Sequence, residues 1–437
     1  MEQQWEHVAV LGAAGKMGSG IALLLLQEIA TMKGCTLTLL DTHPQGFPAL
    51  QKYLREHLLR YAERNINHLR KLFHYRDDLI DNGDMITAFI NESLDNIRYV
   101  TSLNECIGAT MIFEAILEDL EVKSDVLSKL NQIVNPEALF FSNTSSIPIH
   151  VLQEKSHING RLIGFHFYNP PAVQKLLEII VPRGLKEGIF EKALEVGKRL
   201  NKTIVLSEDI AGFIGNGHFI REVKAACDQV EELKKEMTLP AAICLVNTVT
   251  QDYLIRPMGI FQLIDYVGID VVQHIARVMT QYLKGENFTT SLVENMVKAE
   301  VKGGQNGDGS QKPGFFSYEK NQPARVYDLE NLEYIPYVLS EEAKKFPLGH
   351  ETWRSLSKIK ERERSAKLSQ YFENLLQDRS EPSKLAVHFL SRSRLIVHGL
   401  VDSEVARTIQ DVDTVLQNGF YHLYSVDDVW KGKEAEK

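Results

Sequence analysis

The chain has 437 residues, longer than one ordinary core. Its 44% hydrophobic and 24% charged content is that of a globular protein of two or three domains. A net charge of −9 excludes general nucleic-acid affinity, and no run of eighteen apolar residues is present to span a membrane. Four scattered cysteines (Cys35, Cys106, Cys227, Cys244) lack metal-ligand spacing, and the amino terminus lacks signal- or transit-peptide features, so a cytoplasmic protein with reduced thiols is expected.

His7–Leu11 reads as a short apolar strand, followed at once by Gly12-Ala-Ala-Gly15-Lys16-Met17-Gly18-Ser-Gly20 and the apolar helix around Ile21–Leu26. Strand, glycine-rich turn and helix together form a dinucleotide cradle: glycines allow a tight turn and close approach of a pyrophosphate to the helix N-terminus. A second strand, Thr36–Leu40, ends in Asp41, 23 residues after Gly18, where a carboxylate accepts hydrogen bonds from the adenosine ribose. The same negative charge repels a 2′-phosphate, so the cofactor expected is NAD.

Between residues 51 and 76 seven basic side chains (Lys52, Arg55, Arg60, Arg64, Arg70, Lys71, Arg76) accompany leucines at near-helical intervals. Such a run suits a basic helical face, solvated or facing an anion. Asn96–Thr101 and Thr110–Leu117 read as the next strands of a doubly wound sheet that alternates with helices to about Ile204.

The stretch Ser142–Glu178 holds the chemistry. Ser142, Asn143, Thr144, Ser145 and Ser146 follow the apolar run Ala138–Phe141. His166, Phe167, Tyr168, Asn169 and Pro170 follow the run Leu162–Phe165. Polar clusters at the ends of buried strands lie where α/β proteins bind ligands. A hydroxyl from one strand end and an imidazole from the next are thus placed to meet on one substrate. Glu178, twelve residues past His166 in a strand-like run, is placed to fold back and hold the ring.

The blocks SNTSS, GFHFYNP and KLLE resemble the signature segments of the L-3-hydroxyacyl-CoA dehydrogenase family. The resemblance implies a Rossmann-type α/β doubly wound sheet followed by all-α C-terminal domains, and NAD-dependent interconversion of L-3-hydroxyacyl-CoA and 3-oxoacyl-CoA. It makes Ser145, His166 and Glu178 the active site, with His166 the general base, a task for which histidine's usual pKa of about 6.5 is suited. It also implies cofactor contacts from Asn143, Asn169 and Glu114, beside those of Gly12, Gly15, Lys16, Met17, Gly18 and Asp41. The helical hairpin it implies near residues 45–83 covers the acyl-CoA substrate. The family usually has GxGxxG, whereas this chain has GxxGxxG, with one extra residue before Gly15.

Ser207–Asn216 resembles the family's entrance to its helical domain and makes Asn216, expected within a helix, the fourth active-site residue. The family normally has Arg next, where this chain has Gly217 and His218. Arg256–Asp270 resembles the helical core through which short members dimerise, and Gly303–Tyr318 a Gly-rich tail block in which Lys312 has no clear counterpart. The domains expected are 1–205 (NAD-binding), 206–330 (helical) and 331–437 (a helical extension). Within the extension, 355–383 reads as a solvated charged face, and 392–420 faintly resembles the second helical repeat of multifunctional β-oxidation enzymes. Such a repeat would make the chain a monomer, and its absence a homodimer. Two other readings stay open: a dehydrogenase of small 3-hydroxy acids, of L-gulonate or carnitine type, and a dinucleotide-binding protein without turnover.

Overall fold

The computed structural model describes residues 2–30, 32, 34–306, 309–337, 339 and 351–430. Residues 307–308 of the Gly-rich tail block, and 338, 340–350 and 431–437 of the extension, lie outside the described residues. The chain divides into two compact units, Met1–Ile210 and Ala211–Lys437.

The amino-terminal unit is built on one sheet of eight strands: β1 His7–Leu11, β2 Thr36–Leu40, β3 Ile97–Val100, β4 Met111–Glu114, β5 Leu139–Ser142, β6 Leu162–Phe167, β7 Leu176–Val181 and β8 Thr203–Glu208. The order is β3-β2-β1-β4-β5-β6-β7-β8, so β1 and β4 are neighbours and the winding reverses between them. In such sheets ligands bind beyond the carboxyl ends of the strands at that reversal. The helices are α1 Lys16–Ile29, α2 Phe47–Arg64, α3 Ile66–Leu72, α4 Asn82–Asp95, α5 Leu120–Asn131, α6 Ile149–Ser156 and α7 Ile189–Arg199. Helix α2 buries Leu50, Leu54, Leu58 and Ala62, one stripe at helical spacing, and α4 packs against it. The region of the expected hairpin is therefore three helices rather than two. The strand expected over Thr110–Leu117 stops at Glu114: Glu114's own carboxylate takes the N–H of Ile116 at 3.0 Å, and Leu117 is 70% exposed.

Within this eight-stranded sheet all strand pairings are parallel except one. No helix separates β6 from β7, which pair antiparallel with Gly164↔Ile180, Phe165↔Ile179, His166↔Glu178 and Phe167↔Leu177 in register. A ladder of phenylalanines fixes one face of the strands leading there. Phe113 stacks on Phe141 (centroids 4.6 Å), Phe165 lies tilted against Phe141 (4.7 Å), and Phe167 meets Phe165 edge-on (5.4 Å). Aromatic pairs of this kind add about 0.5–1.5 kcal/mol each beyond area burial. Because side chains alternate along a strand, burying Phe165 and Phe167 on one face sends His166 to the other. β8 continues through Glu208, paired with Val181, so this unit closes at Ile210 and the boundary expected at 205 falls inside a strand.

The carboxy-terminal unit is mainly helical: α8 Gly215–Leu233, α9 Leu239–Thr248 (prolonged by a π-turn, Val249–Tyr253), α10 Ile260–Val267, α11 Ile269–Tyr282, α12 Ser291–Lys298, α13 Trp353–Leu356, α14 Glu361–Gln377, α15 Glu381–Asp402 and α16 Ile409–Gly419. It also holds a small antiparallel sheet, β9 Phe316–Glu319, β10 Gln322–Asp328 and β11 Glu333–Pro336. Buried Asp265 ties that sheet to α10 by accepting from the N–H groups of Phe315 (2.6 Å) and Phe316 (2.9 Å) and from the Tyr318 hydroxyl (2.7 Å). Gly314 has no room for a Cβ, which would stand 2.1 Å from Asp265 Oδ1. The extension is not a separate layer of solvated helix. Leu368, Tyr371, Phe372 and Leu375 of α14, and Leu385, Ala386, Phe389 and Leu390 of α15, join one hydrophobic core with α8–α11. The charged run 355–383 thus buries one face, because its apolar residues recur at three and four positions.

Candidate active site

The glycine turn leaves β1 as a tight loop. The N–H groups of Gly12 and Ala13 both donate to Leu40 O (2.9 and 3.0 Å), and Gly15 N donates to Gly12 O (3.0 Å). This closed turn absorbs the extra residue of GxxGxxG. Gly12 sits at φ +71°, and a Cβ there would lie 2.5 Å from Ala115 O; a Cβ on Gly18 would lie 2.0 Å from Gly12 O. Gly15 stands at the N-cap of α1 with no side-chain capping bond, so no side chain screens the helix's first N–H groups. Backbone donors at a helix N-terminus and an absence of side-chain bulk fit a pyrophosphate. Lys16 and Met17 open that same helix. Asp41 follows β2 and accepts from Ala14 N and His43 N, both at 3.0 Å. Its charge is therefore held beside the turn by neutral donors. Gly20, on the next turn of α1, faces Pro171, whose Cδ lies 2.7 Å from where a Cβ would be. The Asn169–Pro171 segment accordingly packs on the helix that begins at the glycine turn.

His166 and Glu178 are direct cross-strand partners, and His166 Nδ1 stands 2.8 Å from Glu178 Oε2. Opposite residues of an antiparallel pair have Cβ atoms about 5 Å apart, which suits an imidazole–carboxylate bond without strain. Glu178 is wholly buried and His166 is 8% exposed, so of the pair only the histidine reaches the surface. An ionised carboxylate only accepts, so the ring proton sits on Nδ1 and Nε2 is the basic nitrogen. A second donor, the Tyr168 hydroxyl, lies 2.9 Å from the same Glu178 oxygen.

The Asn143–Ser146 segment is organised by Glu118, a residue that sequence reasoning did not single out. Its Oε1 accepts from Thr144 Oγ1 (2.7 Å), Ser145 N (2.9 Å) and, more loosely, Ser145 Oγ (3.3 Å) and Ser146 Oγ (3.4 Å). Lys123, 1% exposed, bridges Glu118 (3.2 Å) and Glu114 (2.5 Å). Burial would discharge these groups, but their mutual attraction holds Glu118 below its ordinary value and Lys123 above. Glu114 is also 1% exposed and accepts from Ser142 Oγ at 2.6 Å. It therefore supports the loop from within the fold, and a direct carboxylate contact to a cofactor does not fit that burial.

Asn143 Oδ1 accepts from Phe167 N at 2.9 Å, pinning the end of β5 to the strand that carries His166. Lys202, also missed in the sequence, shapes the β6–β7 connection by donating to Pro171 O (2.6 Å) and Gln174 O (2.7 Å), and burial pushes its ammonium down to about 8. The structure thus gathers Asn143, Ser145, His166, Asn169 and Glu178 around the ends of β5, β6 and β7, and Gly12–Gly18 with Asp41 around the ends of β1 and β2. Asn216 belongs to the carboxy-terminal unit and lies in the first turn of α8 rather than mid-helix. Beside it, Gly217 has a local reason: a Cβ there would already touch Leu400 Cδ2 of α15 at 3.1 Å, so α15 occupies the space a long side chain would need. Among the described residues no helix is long and apolar enough to cross a membrane.

The model of the 3-hydroxyacyl-CoA dehydrogenase NAD-binding domain matches residues 7–210, and that of the C-terminal domain matches 212–312. Probable 3-hydroxybutyryl-CoA dehydrogenases of Deinococcus radiodurans and Bacillus subtilis are 29% and 28% identical, covering 69% and 71% of this chain and 98% and 97% of their own. Human mitochondrial hydroxyacyl-coenzyme A dehydrogenase is 29% identical over 62% of this chain and 78% of its own. FadB2 of M. tuberculosis matches in structure with a TM-score of 0.53 at 26% identity, over 72% of this chain and 99% of that one. The 3-hydroxybutyryl-CoA dehydrogenase of Escherichia coli K12 shares the fold over 97% of this chain and 90% of its own, with a TM-score of 0.62 at 18% identity. That last likeness reaches past residue 312 into the helical extension. With a cradle that fits a dinucleotide and two domain models spanning most of its length, the chain belongs to the 3-hydroxyacyl-CoA dehydrogenase family of NAD-dependent oxidoreductases.

Proposed function

We propose that His166 and Glu178 are the proton-handling pair of an L-3-hydroxyacyl-CoA dehydrogenase, and the observation that carries the reading is their 2.8 Å bond across the one antiparallel strand pair of the sheet. NAD, when bound, supplies the acceptor for the hydride that leaves the substrate's C3. His166 Nε2 takes the proton of the C3 hydroxyl as the carbonyl forms. Glu178 keeps the ring in the Nδ1–H tautomer and stabilises the imidazolium, the carboxylate role known from catalytic triads. Ser145 donates to the substrate oxygen as charge develops on it, which requires its hydroxyl to turn from the 3.3 Å contact with Glu118. Asn216 is assigned to the same oxygen, Asn169 and Asn143 to positioning the nicotinamide side, and Gly12–Gly18 with Asp41 to the adenosine diphosphate half.

The test is NADH consumption with acetoacetyl-CoA, compared with NAD reduction by free 3-hydroxy acids such as L-gulonate and L-carnitine. Turnover of the thioester with little of the free acids supports the reading, and the reverse order overturns its substrate class.

The chain is also proposed to be a monomer, because α14 and α15 complete the core of α8–α11 from within one chain. Light scattering of the full-length protein should give one chain per particle. Truncation after Tyr337 should expose that core and cause association. A stable full-length dimer would refute the proposal.

A further inference from the structure

Glu178 does not serve His166 alone. The same oxygen, Oε2, that takes His166 Nδ1–H at 2.8 Å also takes the Tyr168 hydroxyl at 2.9 Å, and the His166 and Tyr168 rings lie 5.0 Å apart. Tyr168 is two residues from His166, at the start of the β6–β7 connection, so its position depends on the same strand end. We propose that Tyr168 is a positioning residue that tunes the His166–Glu178 pair, drawing charge from Glu178 Oε2 and so limiting how strongly the carboxylate stabilises the imidazolium. This inference rests on the reading of His166 as the base.

The physics is a competition for one oxygen. Hydrogen bonds to a carboxylate are strong because the acceptor is charged, and each donor withdraws charge that the other would use. A carboxylate serving one donor holds an imidazolium tightly, which makes the histidine a reluctant acid in the reduction direction. A carboxylate shared with a phenol holds it less tightly, and leaves more of the ring neutral for proton abstraction. Tyr168 donates throughout the working range, since burial, with Glu178 beside it, pushes its phenol well above the usual value.

Three ionisable groups of the neighbouring elements have partners of their own. Glu118 is held by Thr144, Ser145 and Lys123 on the loop after β4 and β5. Lys202, before β8, is held by the carbonyls of Pro171 and Gln174, and Asp209, after β8, by the backbone of Ile149 and His150 and by the His150 ring. On β8 the register partner of Glu178 is apolar Val205, and Glu208 stands three positions further along the strand.

The test is Tyr168→Phe, which removes one oxygen and keeps the ring, read in two ways. The first is the NMR titration of the His166 imidazole in the holoenzyme, which needs no turnover. Its midpoint should rise by roughly 0.5–1 pH unit, the scale of one lost charge-assisted hydrogen bond shared between two partners. The second is kinetics: kcat for oxidation at neutral pH should fall about 3–10-fold with KM little changed, and the acid limb of kcat/KM should move to higher pH. In a Glu178→Gln background the loss of the hydroxyl should leave the midpoint where it is. Fluorotyrosine at position 168, a stronger donor of nearly the same shape, should move the midpoint the opposite way, and it replaces the Phe variant if that one does not fold. A midpoint that stays put or moves down in Tyr168→Phe, or an equal shift with Glu178→Gln already present, overturns the proposal. Failure of the catalytic reading shows separately, as undiminished turnover in His166→Ala.

Discussion

Among the described residues, two buried pairs of histidine and glutamate are built for opposite ends. At the strand ends His166 Nδ1 lies 2.8 Å from Glu178, and the same carboxylate accepts from a neutral phenol, Tyr168. In the helical unit His218 Nε2 lies 3.9 Å from Glu222, too far for a hydrogen bond, and Glu222 is held by both arms of Arg256 at 2.8 and 2.9 Å. Burial alone would lift the Glu222 carboxyl, but the Arg256 guanidinium outweighs it and holds the group well below the usual range. Burial, helped by the charges of Arg256 and Arg221, pushes His218 down to about 4 against the opposing pull of Glu222. A carboxylate near a histidine does not by itself make a base. The carboxylate must have its charge available, and one already neutralised by a permanent cation leaves its histidine an inert neutral packing group.

The largest test of the contrast is to remove each histidine. His166→Ala should lower kcat about 10²–10⁴-fold, the usual cost of a lost general base, with NADH affinity little changed. Glu178→Gln should also act mainly on kcat, and the double variant should fall far short of the product of the two losses. His218→Gln should leave kcat within about threefold of wild type, since a buried imidazole held neutral exchanges no proton with the substrate. Near-normal turnover in His166→Ala, or simple multiplication of its loss with that of Glu178→Gln, breaks the comparison.

Next in size is the ion pair itself. Arg256→Leu leaves Glu222 buried without its cation and should destabilise the carboxy-terminal unit by about 3–5 kcal/mol in denaturant titration. Replacing both Glu222 and Arg256 by apolar residues should recover most of that loss. If the single change costs nothing, Glu222 is not spent on Arg256 and the contrast dissolves.

A pH titration of stability sharpens the same point. A histidine held neutral in the fold takes up its proton when unfolded, so its contribution is intact above about pH 6.5 and is lost as pH falls toward about 4. The loss from His218 should approach ~3 kcal/mol at the lower end, by the linkage of pKa shift to free energy. Buried His422, also pushed down by burial and Arg256, adds a loss of the same sign. Thermal melts between pH 7.5 and 4.5 should therefore drop less steeply in His218→Gln than in wild type. An unchanged slope would mean that His218 is already protonated in the fold.

The smallest effect concerns a third carboxylate. Asp41 accepts from the N–H groups of Ala14 and His43, neutral donors, and the exposed His43 ring stands 3.6 Å away. Removal of the carboxylate in Asp41→Ala should reduce the preference for NADH over NADPH by about 10–100-fold, the scale of one or two charge-assisted hydrogen bonds. Turnover with saturating NADH should change less. A wild-type enzyme equally efficient with NADPH removes Asp41 from the ribose.

The sequence disclosed the elements whose signals are local. The glycine turn, the apolar runs of β1, β2, β5, β6 and β7, and Asp41 at the end of β2 are all written in neighbouring residues. Glu178 was legible because a strand-like run at a suitable distance from His166 permits only a few pairings. Glu118 was not, since its partners Thr144 and Ser145 lie 26 and 27 residues away and only the folded loop brings them near. The burial of Glu114 was hidden for the same reason, as Lys123 and Ser142 close over it from two other elements. In the extension the signal was present but drowned: Leu368, Tyr371, Phe372 and Leu375 have helical spacing inside a run dominated by charge. The small sheet β9–β11 gave little sign of itself because its strands are only four, seven and four residues long.

The antiparallel pairing of β6 with β7 has a consequence for how this chain tolerates change. The base and its carboxylate sit on two arms of one hairpin, facing each other only in the register His166↔Glu178. A slip of one residue would turn Glu178 to the opposite face and bring up Leu177 or Ile179, both fully buried apolar side chains. Insertions in the eight residues between the strands leave that register alone, whereas a single insertion inside either arm destroys it. Apart from Tyr168 and Asn169 at its start and the Pro171 and Gln174 carbonyls held by Lys202, the connection can therefore vary while the two arms cannot, and a duplicated or transplanted hairpin would carry its acid–base pair with it as one inherited piece.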